Sequence, residues 1–363
     1  MKKINLFAIL VCCVLLIAYL VFKKESNSGS NSNEIKIGAI VPLTGSSALN
    51  GSMFKQGLEM AVNEINQSGG EISFTIVLED SKSSPKDSYM AYKKLGATGI
   101  KYYAAFGGQF ILSFAPDTKN TDNILFASAA PNSNLLQLTN RCFRLFPTVD
   151  MVTDKVRDYI VKNNYSRIAI VYMQNEAYSM YYNSLLNKLQ EIGKDVVFVE
   201  SYEPNCRDFK NIVSKMSSLQ IDFLYSAGAG EGSALLTKQL YNNPSTEKIP
   251  VMGDMNFSNP DNLQIIGDIK SPIYTIENFI TEDFYKNYQK NYNQSANGFS
   301  VYGYIIPYML KEAILALGEN ATSNKVFDYI KTTEFNTSAG KVSFDKETGE
   351  PNLDIIVKTT YPK

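Results

Sequence analysis

Apolar and polar positions change their period repeatedly between residues 34 and 80. Ile35, Ile37 and Ala39 lead into the run Ala39-Ile40-Val41, the continuous apolarity of a parallel strand buried on both faces. Phe54, Leu58, Ala61, Val62 and Ile65 then recur at helical spacing, and Gly69-Gly70 supplies residues that tolerate positive φ and end the helix. From Ile72 to Leu78 the period is two, with Ile72, Phe74, Ile76 and Leu78 on one face, before Glu79-Asp80 closes the strand. A strand, a helix and a second strand in this order predict a right-handed βαβ unit. Ligands in doubly wound sheets sit beyond the carboxyl ends of the strands, which here means the loop 44–50; an ordinary surface loop is the other reading.

The same alternation continues. Strand-like runs fall at 102–106, 124–128, 167–173, 195–202, 222–227, 249–252 and 273–279, most of them separated by helical patterns. At Cys142-Phe143-Arg144-Leu145-Phe146-Pro147-Thr148-Val149-Asp150 a strand leaves the first group, and the βα alternation then restarts. That restart predicts two α/β domains of similar build. Phe284, Tyr288 and Tyr292 stand four apart, and Tyr302, Tyr304, Tyr308 and Leu310 follow on a helix that Pro307 is expected to kink; these stripes read as packing surfaces.

Before residue 34 the pattern has no period. Met1-Lys2-Lys3 precedes an almost uninterrupted apolar stretch from Ile4 to Phe22, long enough to cross a bilayer core of about 30 Å. Residues 1–24 therefore read as an export signal or an N-terminal membrane anchor. The absence of an Ala-x-Ala-type site before Lys23-Lys24 favours the uncleaved anchor. Cys12 and Cys13 lack a lipoprotein context, since bulky Val11 precedes them and apolar residues follow. Residues 25–33, rich in Ser, Asn and Gly, predict a flexible linker.

Composition removes whole classes of chemistry. The 363-residue chain contains no histidine, hence neither the commonest general base nor the commonest zinc ligand, and no metal or cofactor is expected. Its formal net charge is −1, and Lys2, Lys3, Lys23 and Lys24 flank the apolar stretch, so the remainder is mildly acidic and no basic stripe invites nucleic acid. Cys142 and Cys206 are left either paired or free, since sequence does not give their separation. Asp80, Glu231 and Asp254 are available as paired carboxylates, but no nucleophile elbow, phosphate loop or metal spacing accompanies them, and no enzyme is expected.

The βαβ opening, with its polar loop and without a catalytic residue, resembles the type I periplasmic solute-binding proteins, especially the branched-chain amino-acid (Leu/Ile/Val) receptors of ABC transporters. The resemblance extends along the chain through Phe143-Arg144 with Pro147 and Asp150, Tyr178-Ser179, Asp208-Phe209, and the segment from Gly340 through Phe344-Asp345 to Gly349. It implies two Rossmann-like lobes joined by a three-crossover hinge with a ligand cleft between them. The first lobe would take 34–147 plus 276–336, and the second 148–275 plus 337–363.

The resemblance also implies site residues. The turn after the strand 124–128 would grip a ligand carboxylate through Ser128 and Ala129, but Pro131 stands where the family has a threonine, which removes a hydroxyl and a backbone donor. After Phe106, either Gln109 or Ser113 would face ligand. Tyr178 matches a tyrosine that reaches over the solute, and also reads as an exposed turn residue. Asp254 matches the acid for a ligand ammonium, with Met255 as the alternative alignment and a helix-cap aspartate as the structural reading. Phe299 matches a cleft wall, Asn50 stands where an aromatic often caps the ligand, and Glu231 would enter space left by Ala229. By this resemblance the protein would be a monomeric extracytoplasmic receptor of an ABC importer. It would capture an amino acid or similar small polar solute by hinge closure and deliver it to a membrane permease. The competing expectation is a sensor of the same fold that signals to a partner protein and transports nothing.

Overall fold

The structure is a computed structural model that describes residues 33–131, 134–228, 230–255, 257 and 260–360. The apolar stretch 1–24 and the linker expected over 25–33, apart from residue 33, lie outside the described residues, as do Asn132 and Ala229. No described helix is long and apolar enough to cross a membrane.

Five parallel strands form the first sheet, in the order β2-β1-β3-β4-β5: β1 (Asn33–Val41), β2 (Ile72–Asp80), β3 (Tyr102–Phe106), β4 (Ile124–Ser128) and β5 (Cys142–Leu145). The helix Ala48–Gln67 crosses from β1 to β2 and buries Phe54, Leu58, Ala61, Val62 and Ile65, the face that the periodicity selects. It packs along the helix Gly298–Leu317, which runs through Pro307. Glycine makes that contact close. A Cβ on Gly57 would stand 1.8 Å from the Ser300 carbonyl oxygen, and one on Gly303 would stand 2.1 Å from that of Phe54. Phe284 and Tyr288, on the helix Glu282–Tyr292, are buried in the same core.

The second sheet has the order β14-β10-β9-β8-β6-β7 and comprises β6 (Arg167–Met173), β7 (Asp195–Tyr202), β8 (Phe223–Ala227), β9 (Val251–Gly253), β10 (Ile273–Asn278) and β14 (Ile355–Thr360). Only β14 runs antiparallel to its neighbour. A small antiparallel sheet, β11 (Phe335–Thr337), β12 (Gly340–Phe344) and β13 (Pro351–Leu353), buries Phe335, Val342, Phe344 and Leu353 in the first core.

The chain passes between the two sheets three times. Residues 146–148 link β5 to the helix Val149–Lys162, residues 279–281 link β10 to the helix Glu282–Tyr292, and Asp354 alone links β13 to β14. Two of these crossovers are tied together, the Phe279 N–H donating to the Asp354 carbonyl at 3.0 Å. Strand pairing thus carries the second sheet through Asn278, beyond the boundary expected at 276. It also leaves the β12–β13 hairpin on the first core, whereas 337–363 was expected in the second lobe. The reason is that Phe344 packs on Phe143, which stacks on Phe327, and Val342 and Leu353 join the same buried cluster, an association of distant segments that strand periodicity does not record.

Both cysteines among the described residues, Cys142 and Cys206, are free, so no disulfide joins them. Cys142 is buried in β5 under the first sheet, while Cys206 lies against the core of the second sheet.

Candidate functional site

A cavity of ≈ 230 Å³ opens between the two sheets, and its wall is built from residues just past strand ends. From the first half come Pro131, beyond β4; Phe146, beyond β5; and Asn297, Gly298 and Phe299, at the start of the helix Gly298–Leu317. The second half contributes Val152, Ala177, Tyr178 and Tyr181, with Asp254 and Met255 beyond β9. Asn278, the last residue of β10, stands at the second crossover and completes the wall.

Aromatic rings make one side. Phe299 meets Phe106 edge-on at 5.1 Å and lies nearly parallel to Phe146 at 6.3 Å between ring centres. The backbone beneath is fixed by Asn297, whose Oδ1 accepts from the N–H groups of Phe299 and Ser300, while Ser300 Oγ accepts from the Asn297 N–H in return. This capping box orients the helix start toward the cavity. Gly298 is needed for a close approach, because a Cβ there would fall 1.8 Å from Asn278 Nδ2. Asn278 is itself held by Tyr302, which donates to its Oδ1 at 2.6 Å.

The opposite side carries the charge. Tyr225, in the centre of the second sheet, donates to Asp254 Oδ1 at 2.5 Å, whereas Oδ2 is buried with no side-chain partner among the described residues. Asp254 as a residue is only half-buried, because part of its surface faces the cleft; its carboxyl oxygens are nonetheless removed from bulk water. Desolvation dominates, and the hydrogen bonds from Tyr225 and the Gly228 backbone offset it only in part, so the carboxyl is pushed up to about 7. Tyr178, Tyr181 and Tyr202 surround it, and burial raises all three phenols, with Asp254 adding to the effect. Tyr178 is positioned by the helix Glu176–Glu191, whose cap Asn175 accepts the Tyr178 N–H at 2.8 Å.

Of the residues singled out from sequence, the structure brings Tyr178, Asp254 and Phe299 together on the cavity wall. Ser128 and Ala129 stand one step back from it. Ser128 is fully buried with its Oγ unpartnered, and Ala129 takes a positive φ of 52° while its carbonyl accepts from the Gly108 N–H. It is Pro131 of that turn that reaches the cavity. Gln109 and Asn50 are exposed and off the wall, and Ser113 folds its hydroxyl back onto the Phe110 carbonyl at 2.7 Å. Glu231 is exposed and pairs with Arg207 at 2.7 Å on the surface. The loop after β1 is also internally satisfied. Asp80 accepts from the Leu43 and Lys82 N–H groups and from Thr44 Oγ1, and these bonds outweigh burial and hold its carboxyl below the ordinary range.

Sequence reasoning missed Phe146, Val152, Ala177, Tyr181, Asn278, Asn297 and Gly298 as wall residues. Two had legible signals: Asn297 precedes Ser300 at capping-box spacing, and Tyr181 follows Tyr178 by one helical turn. Asn278 had none, since only its place at a crossover brings it to the cavity.

Two α/β halves with a strand-end cavity between them, crossed three times by the chain, define a two-lobed binding protein. The chain belongs to the periplasmic binding protein family, whose model matches residues 34–358. It is 26% identical over 329 residues to the Leu/Ile/Val-binding protein BraC3 of Rhizobium johnstonii, covering 87% of this chain and 89% of that one. Its fold is similar to that of the branched-chain amino acid transporter substrate binding protein LivJ from Streptococcus pneumoniae, solved with isoleucine (TM-score 0.71, 19% identity, 91% and 100% coverage). It is also similar to a solute binding protein of an ABC transporter from Rhodopseudomonas palustris, solved with 3,4-dihydroxybenzoic acid (TM-score 0.74, 18% identity, 90% and 92% coverage). Across these relatives the fold persists while the named ligand changes.

Proposed function

We propose that this protein is an extracytoplasmic receptor that captures an amino acid or similarly small polar solute between its lobes and delivers it to the permease of an ABC importer. The observation that supports this most is the cavity wall itself, with Pro131, Phe146 and Phe299 on one lobe, Tyr178 and Asp254 on the other, and Asn278 at a crossover. A solute touching both walls binds the closed arrangement more tightly than the open one and shifts the population toward closure, and the closed surface is what a membrane partner would read.

The test is a thermal-shift screen of the full-length chain against amino acids, amides, polyamines and short peptides. A ligand at 100 times its dissociation constant stabilises by about 2.7 kcal/mol, a readily measured rise in melting temperature. A hit supports the receptor; silence from a folded sample across the panel counts against it and favours a sensor that works through a partner protein.

A further inference from the structure

Asn278 and Asn297 both line the cavity, and in each the amide oxygen is engaged by strong donors while the nitrogen is not matched by a strong acceptor. Asn278 Oδ1 accepts from the Tyr302 hydroxyl at 2.6 Å, and Asn297 Oδ1 accepts from the N–H groups of Phe299 and Ser300 at 3.0 and 3.1 Å. These bonds fix which end of each amide is the nitrogen. Each nitrogen carries two N–H donors, and its one partner among the described residues is a thioether: Met255 Sδ lies 3.5 Å from Asn278 Nδ2, and Met53 Sδ lies 3.2 Å from Asn297 Nδ2. Thioether sulfur is a weak acceptor, so both amides keep donor capacity that a solute oxygen can use. The two amides are neighbours. A Cβ on Gly298 would fall 1.8 Å from Asn278 Nδ2, so the Asn278 amide rests against the residue that follows Asn297. The 20-residue helix Gly298–Leu317 begins at the same place, and its dipole favours negative charge there.

We infer that Asn278 and Asn297 form the carboxylate subsite of the cleft, one amide to each oxygen, so that a carboxylate-bearing solute is anchored at the second crossover and not at the turn after β4. This rests on the receptor reading and gives it a contact that the family resemblance does not imply. Among the described residues, the turn after β4 reaches the cavity only through Pro131, which has no N–H to offer. Ser128 is fully buried and stands off the wall. Hydrogen bonds to an ionised acceptor are roughly twice as strong as those between neutral groups, so two fixed amides with a helix start behind them can hold a carboxylate without a lysine or arginine on the wall. Phe299 stands directly after the subsite and lies nearly parallel to Phe146, and the two rings offer an apolar surface to the body of the solute.

Isothermal titration of the full-length protein with phenylalanine and with phenethylamine, which lacks the carboxylate, tests this at about pH 7. The expected result is phenylalanine binding about 10-fold or more tighter than phenethylamine. Asn297→Ser keeps an oxygen to cap the helix and removes the amide donor, and Asn278→Ala removes the other; each should shrink the preference by about 5-fold or more, while Ser128→Ala leaves it unchanged. The preference is a ratio between two probes, so a variant that is merely less well folded weakens both alike and does not move it. Phenethylamine binding as tightly as phenylalanine, or a preference that survives in either asparagine variant, overturns the inference and leaves the receptor reading standing. A preference that falls in Ser128→Ala overturns it as well, since the carboxylate would then sit at the turn after β4. If neither probe binds, the inference falls, and the broader solute screen decides whether the receptor reading falls with it.

Discussion

Tyr225 holds one oxygen of Asp254 at 2.5 Å, and the other is buried with no side-chain partner among the described residues. The pair explains how a carboxyl can stay in place at a cleft and yet be ready to change charge. The phenol fixes its direction from the centre of the second sheet, while the lack of a cation keeps its ionised form costly.

Stability should follow that carboxyl. Its folded pKa, about 7, lies above the unfolded value of 3.8, so the folded state holds the proton more tightly. Stability is then greatest below the unfolded pKa and falls as pH rises through the folded one, levelling off above it. Asp254→Asn removes this dependence. At about pH 8 the variant should melt roughly 3 °C or more above the parent, with the gap closing toward about pH 4. Melting curves that remain parallel across the range would rule out the buried-carboxyl account.

Tyr178 covers the acid from the helix Glu176–Glu191 and lines the cavity. Tyr178→Ala should weaken the best ligand from the solute screen by about 5-fold or more, the scale of a lost aromatic contact, with the circular dichroism spectrum unchanged. Normal binding in a variant that melts early would assign Tyr178 to packing alone.

Glu350 is the carboxylate partner of a guanidinium that is 1% exposed, the two lying 206 residues apart. Glu350→Gln leaves Arg144 with the carbonyls of Ala130 and Pro131 and no counter-charge, and should cost about 3 kcal/mol of stability, read by urea unfolding. A loss under about 0.5 kcal/mol would show that the two carbonyls suffice.

Gly57 and Gly303 permit the two long helices of the first lobe to touch backbone to backbone. Gly57→Ala should force them apart and lower stability by about 2 kcal/mol or more, despite alanine's better helix propensity. A variant as stable as the parent would mean that the helices can separate without loss.

Cys142 is buried, and desolvation pushes its thiol up to about 12, whereas Cys206 is half-buried near the surface. Iodoacetamide applied to the folded protein, followed by peptide mapping, should label Cys206 well before Cys142. Equal labelling would indicate that β5 opens readily.

Much of the fold was legible because it depends on short-range period. β3, β4, β6 and β7 fall on the expected residues, and the helix Ala48–Gln67 buries the predicted face. Of the candidate site, Tyr178, Asp254 and Phe299 came from the family resemblance, and all three line the cavity. Gln109, Asn50 and Glu231 came from the same resemblance and do not reach the wall, since the direction of an exposed side chain is set by turn geometry and by partners such as Arg207.

The sequence by itself determined two α/β halves, the restart after the segment 142–150 and the absence of histidine, all properties of local pattern and composition. The tertiary structure decided where the chain recrosses, which core receives the β12–β13 hairpin, and that Asn278 and Tyr181 share a cavity with Phe299. It also decided the charge of Asp254. A carboxyl's pKa depends on whether distant segments bring it water, a cation or a phenol, and here they bring Tyr225 and exclude most of the water.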